Sequence, residues 1–359
     1  MNLPRNAQLW LPDYLRGRFG AIVANGSAPK AQRAWISICD HYEPLWAQPD
    51  LETARSRVDL WARRWPEVAR RHADSAGRHP VYTFFFPQEE YRPEFLDPLA
   101  RMTADGIGDV DVHIHHNCEG EQNFLDRMNG FIEVLTTKHG LLRQHNGRTV
   151  FGFIHGNWAL DNSRPDGQWC GLNNEIQLLR DLGCYADFTM PSGASPTQSR
   201  LVNSIYWVRD NPHEPRSYDT GVMVRPGHPG EGDLLMITGP LGLRWRERLV
   251  PRLETGEVAR QDLPTEYRVE RWFDLAPRVG GDIFIKLYTH GCQDLNSHAL
   301  FDRGGLDDLY SLMAKVAKRR GCDWYSVSAW QMRQAVDYAA RQMNPLAAIG
   351  KMPAPNRAA

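Results

Sequence analysis

The sequence predicts an α/β protein built as a distorted (β/α) barrel of about seven to eight mostly parallel strands. Three observations lead there. Short apolar runs recur from Trp35 to Val327, and most are followed by a stretch with apolar residues at helical spacing. Strand and helix in alternation imply parallel strands joined by helical crossovers. No Gly-x-Gly-x-x-Gly loop follows the first strand, which weighs against the competing open, dinucleotide-binding sheet.

The elements follow in order. Residues 35–40 (WISICD) read as the first strand, and 51–72 as a helix with Leu51, Ala54, Val58, Trp61, Trp65 and Val68 on one face. Residues 81–86 (VYTFFF) form the second strand, and 93–104 a helix with Pro93 in its first turn. Residues 109–115 are the third strand. Here Val110, Val112 and Ile114 alternate with Asp109, Asp111, His113 and His115, so one face is apolar and the other carries carboxylates and imidazoles. A helix near 119–138, a strand at 149–155 and a helix at 171–182 follow, with Gly183 placed to cap that helix. Residues 185–190, 234–238, 283–288 and 324–327 supply four more strands, and helices near 265–276, 306–319 and 329–342 fill most remaining gaps.

The pattern makes residues 1–344 one domain, with an N-terminal extension at 1–32, an insertion rich in Pro and Gly near 210–232, and a tail at 345–359. Composition narrows the function classes. The 359 residues include 42 basic and 43 acidic ones, with no basic stripe, which argues against nucleic acid or an anionic membrane as partner. No apolar run approaches the roughly 20 residues that span a bilayer. The six cysteines include no Cys-x-x-Cys pair, and residues 1–20 show no signal-peptide pattern. Reduced thiols in the cytoplasm are the expectation. Twelve tryptophans lean slightly toward a sugar ligand.

In barrels and parallel sheets the ligand site lies beyond the carboxyl ends of the strands. Those ends carry Asp40, His41 and nearby Glu43. The third strand adds His113, His115, His116 and Asn117, and the fourth His155, Asn157, Trp158, Asp161 and Asn162. Asp187 with Ser192, and His290, complete the set. One carboxylate and several imidazoles at one rim suit a divalent metal, zinc first, that lowers the pKa of bound water. A carboxylate as general base and a histidine as general acid complete metal-assisted hydrolysis of an amide or ester. A serine nucleophile is disfavoured, because no Gly-x-Ser-x-Gly elbow occurs.

These strand ends, in this order, resemble the polysaccharide deacetylase superfamily with the NodB-homology fold. ISICDH at 36–41 stands where that family has Thr-Phe-Asp-Asp, Thr83-Phe84-Phe85 stands at its next strand, His113–Asn117 at its His-(Ser/Thr)-x-x-His, and the strand ending in His290 at its Leu-x-His. The Asp-Asp pair is absent, and HGNWALDNSRPDG replaces the Arg-x-Pro-Tyr segment. The resemblance implies metal-dependent removal of an acyl group from an amino sugar. It implies Asp40 as base or ligand, His41, His113 and His115 as ligands (with His116 or Asn117 as substitutes) and His290 as acid. His155, Asn157, Trp158 and Asp161 are expected to contact a small-molecule or glycan substrate. Two rivals stay open: an amidohydrolase-type C–N hydrolase, suggested by His113-Ile-His115, and an inactive sugar-binding or scaffold barrel.

Overall fold

The computed structural model describes residues 3–23, 30–117, 120–246 and 250–350. Its strands are β1 Arg33–His41, β2 Tyr82–Pro87, β3 Gly108–Ile114, β4 Arg143–His145, β5 Arg148–His155, β6 Cys184–Asp187, β7 Ile205–Val208, β8 Val222–Met223, β9 Leu234–Ile237, β10 Gly242–Arg246, β11 Val250–Glu254, β12 Arg278–Val279, β13 Asp282–Thr289 and β14 Asp323–Ser326. The helices are α1 Ala7–Val23, α2 Leu51–Arg71, α3 Pro93–Ala104, α4 Glu121–Thr137, α5 Glu175–Leu182, α6 Glu266–Leu275, α7 Asp294–Phe301, α8 Gly305–Arg320, α9 Ala329–Ala340 and α10 Ala347–Gly350.

Twelve of the strands form one mostly parallel sheet in the order β12-β13-β1-β2-β3-β5-β6-β9-β7-β8. β14 lies beside the first half of β1, and β4 beside β5. The parallel run from β13 to β9 contains all the strands expected from sequence except β14, which also pairs in parallel. Their apolar runs are buried on both faces, which is why they were legible. The antiparallel additions were not expected: β7 and β8 pair beside β9, and β10 and β11 make a separate hairpin. The insertion near 210–232 contributes β8, which extends the sheet rather than standing apart from it.

Side-chain parity sorts the sheet into two faces. Ala34, Ile36 and Ile38 of β1, Val110, Val112 and Ile114 of β3, and Ile283, Ile285 and Leu287 of β13 pack with residues of α2, α3, α4, α6 and α8. The intervening residues, among them Trp35, Cys39, Phe85, Ile154 and Phe284, face the other way and pack with α9. On this second face Asp109 and Asp111 of β3 are paired with Arg143. The Arg143 guanidinium lies over the Trp330 ring of α9. The buried charges thus close one end of that face, and the strand ends carrying His113 lie at the other.

Local signals fix several boundaries. Asp50 caps α2 by accepting from the Thr53 N–H at 2.8 Å. Ser328 and Gln331 form a capping box at the start of α9. Gly183 ends α5 with φ of 100°, a left-handed conformation that suits glycine. At the carboxyl edge, Gly239 approaches the Lys286 backbone so closely that a Cβ would stand 2.6 Å from its carbonyl oxygen. The segment that follows β9 therefore comes within contact of β13 there. The described cysteines Cys39, Cys170, Cys184, Cys292 and Cys322 are free thiols, while Cys118 lies outside the described residues. Among the described residues no helix is long and apolar enough to cross a membrane.

Candidate metal centre

Five side chains converge where β1, β3 and β13 end on the second face. His41 closes β1, Glu43 follows it, His113 and His115 end β3, and His290 follows β13. The register explains the meeting. Asp40 pairs with Thr289 across β1 and β13, so the next residues, His41 and His290, lie side by side with ring centroids 4.6 Å apart. The His113 ring lies 5.1 Å from His41 and 4.6 Å from His115. Glu43 is common to two groups whose ligand atoms all lie within 4.8 Å of one another: His41, Glu43 and His290, and Glu43, His113 and His115.

Hydrogen bonds fix which ring nitrogens are free. His113 Nδ1 lies 2.8 Å from the Ile154 carbonyl oxygen and must donate to it. Its other nitrogen, Nε2, lies 3.3 Å from Glu43 Oε1. His115 Nδ1 is bound to Glu89, and its Nε2 lies 3.5 Å from the same Glu43 oxygen. Carboxylate and backbone partners of this kind orient metal-binding imidazoles. His41 Nε2 is buried with no hydrogen-bond partner among the described residues.

Burial and neighbours set the charges. Burial, then the adjacent His290 and His113, holds His41 well below the ordinary histidine range, and burial does the same to His290. Burial alone would raise Glu43, but the His113 hydrogen bond and the other imidazoles hold its carboxyl below the usual range. Burial alone would lower His115, but the Glu89 hydrogen bond and the Glu43 carboxylate raise it. An ionised carboxylate therefore faces the Nε2 atoms of two imidazoles inside the protein, and a divalent ion there would take the place of the protons between them. With bonds of about 2.0–2.1 Å, ligand atoms of a tetrahedral zinc ion stand about 3.3 Å apart. The Glu43–His113 and Glu43–His115 spacings fit that edge.

The structure brings His41, His113, His115 and His290 together, and it does not bring Asp40 with them. Asp40 was expected as base or ligand. It shares parity with Ile36 and Ile38, so its carboxylate points to the helix-covered face. There Oδ1 accepts from the Gly291 N–H at 2.7 Å, and Oδ2 accepts from the Tyr82 hydroxyl at 3.0 Å. Burial pushes it up to about 8. A Cβ at residue 291 would collide with this carboxylate and with Trp61, so glycine is required for the contact.

The expected substrate residues divide. Trp158 lines the centre, its ring 6.0 Å from both His41 and His290. Asn157 is exposed beside it. His155 and His116 are fully buried on the opposite face, against each other and Glu175. Asp161 is also buried, accepting from the Ser217 N–H at 2.6 Å, and burial raises it to about 8. Asn117 accepts from the Trp169 N–H at 2.7 Å, and Asp187 accepts from Thr189, so neither belongs to the centre. The sequence places Glu43 at the rim without a role, because it lies past the strand end, where period-two reasoning stops. Glu89, in a turn with no pattern of its own, is a site residue the sequence does not single out.

A scan against protein-family models finds no match to this chain, and a search of curated proteins finds none either.

Proposed function

We propose that the protein is a metal-dependent hydrolase of the polysaccharide deacetylase type, removing an acyl group from an amino sugar or a related amide or ester. In this reading the sheet curls into a distorted (β/α) barrel, and the centre occupies its carboxyl-end mouth. The observation that carries the proposal is the one Glu43 carboxylate oxygen that lies 3.3 Å from Nε2 of His113 and 3.5 Å from Nε2 of His115.

Glu43, His113 and His115 would hold the ion, a His₂-carboxylate set of the kind catalytic zinc uses. When bound, the metal polarises a carbonyl and makes water nucleophilic at neutral pH. His115 is kept in place by Glu89, and His113 by the Ile154 carbonyl. His290 is only 14% exposed and kept neutral by burial, so it can accept a proton from the attacking water. It then returns that proton to the leaving nitrogen or oxygen. Trp158 offers an aromatic wall to a sugar ring. The chain's own carboxylate at Asp40 takes no part.

The test is metal analysis and acetate release from an N-acetylated amino sugar. Wild type should retain an ion at this centre and release acetate. Glu43→Gln and His113→Ala should lose both. Full metal content in both variants would refute the assignment.

A second reading is favoured by one observation, the sharing of Glu43 between two ligand groups. A bridging carboxylate with His41 and His290 on one side and His113 and His115 on the other is the layout of a two-ion C–N hydrolase. The two readings separate cleanly. With one ion, His41→Ala leaves metal at the centre and His113→Ala removes it. With two, each substitution removes a different ion.

A further inference from the structure

Behind β3, on the helix-covered face, a second group meets: His116 just past β3, His155 ending β5, Cys170 in the following loop, and Glu175 at the first turn of α5. We propose that these four side chains form a separate structural divalent-metal site, of zinc class, that fastens the 156–175 loop to the ends of β3 and β5.

All four are fully buried or nearly so. His116 Nε2 lies 2.9 Å from Glu175 Oε1 and 2.9 Å from His155 Nε2, which is itself 3.2 Å from the same oxygen. These three atoms make a triangle close to the roughly 3.3 Å edge of a tetrahedral zinc site. Proton accounting shows why a cation fits. His155 Nδ1, at 2.5 Å from the Gly156 carbonyl oxygen, must donate to it, so the neutral ring has only a lone pair at Nε2. A single N–H on His116 cannot serve both of its contacts, and it leaves His155 Nε2 facing the Glu175 oxygen unbridged.

Cys170 supplies the fourth ligand. Its thiol donates to Glu175 Oε2 at 3.3 Å, and the sulfur receives backbone N–H groups from Asn162 at 3.3 Å and Leu172 at 3.5 Å. Those two N–H donors would stabilise the thiolate once an ion displaces the thiol proton. On metal uptake the thiol releases its proton to solvent, and the carboxylate and thiolate together balance a divalent ion. Glu175 Oε2 also accepts from the Asp161 N–H at 2.7 Å, tying the loop to the same ligand. The loop holds Asn157, Trp158, Asp161, Asn162 and Trp169 at positive φ, a conformation non-glycine residues keep only when the surroundings enforce it. Pinning this loop fixes Trp158 beside His41 and His290.

Cobalt(II) is the probe, on the full chain after chelation and reloading. A thiolate-to-cobalt charge-transfer band is expected in wild type and in His113→Ala. Cys170→Ser should lose the band and one metal equivalent per chain. Glu175→Gln should bind that equivalent at least ten-fold more weakly. If Cys170→Ser does not fold, the wild-type and His113→Ala spectra decide. Absence of the band from wild type, or its persistence in Cys170→Ser, would overturn the site. Loss of metal at Glu43 leaves this band unaffected, so the two sites fail separately.

Discussion

At the level of single residues, one offset in a strand decides a role. Asp40 and His41 are neighbours in sequence, yet one faces helices and the other faces the candidate centre. Asp40→Asn should therefore keep the metal that His113→Ala loses. Asp40→Ala should cost about 1–3 kcal/mol of stability, because it leaves the buried Gly291 N–H and Tyr82 hydroxyl without their acceptor. Chemical denaturation of both variants beside their metal content checks this. Glu89 acts through His115. Glu89→Gln should weaken metal binding roughly 10–100-fold without removing a ligand, measured by competition with a chelator.

At the level of elements, the alternating apolar residues of β1, β3, β5 and β13 made the strands readable, because each has one face against helices and the other against α9. The same alternation contained the answer to which polar residues share a site. His41, His113, His115 and His290 have the parity of Trp35, Asp111 and Phe284. Asp40, His116 and His155 have the parity of Ile38, Ile114 and Phe153. Collecting polar residues at strand ends without that sorting mixed two faces, since a one-residue offset turns a side chain to the other side. Glu89, Cys170 and Glu175 were not legible as site members, and Glu43 was legible at the rim but not as a ligand, because they lie in turns and helix starts whose placement depends on tertiary packing. The strands β4, β7, β8, β10, β11 and β12 were missed because they are antiparallel additions outside the alternation of strand and helix that made the others legible. Gly156 gives an element-scale prediction. A Cβ there would lie 2.7 Å from the Ile114 carbonyl oxygen and collide with the His115 ring. Gly156→Ala should displace His115 and lower metal affinity, while Gly130→Ala, at an exposed position of α4 where a Cβ meets nothing within 4 Å, should leave affinity unchanged.

At the level of the whole molecule, the second face of the sheet is a polar column inside an apolar shell. Asp109, Asp111 and Arg143 occupy one end, Lys286 the middle, and the imidazoles the other. Burial pushes Asp187 up to about 7. Its folded pKa thus exceeds the unfolded value near 3.9, so the folded state holds the extra proton between those pH values. Its contribution to stability is complete below about pH 4 and is lost as pH rises toward 7, by on the order of 4 kcal/mol. Asp187→Asn should flatten that slope, read from denaturation midpoints across the range. An unchanged slope would place the titration elsewhere.

The central claim is a cation between Glu43, His113 and His115. Anomalous diffraction from crystals grown with zinc, recorded on both sides of the zinc edge, addresses it directly. The account predicts a peak about 2.0–2.2 Å from a Glu43 carboxylate oxygen and from Nε2 of both histidines. Zinc-loaded crystals with no peak among these three side chains would contradict it.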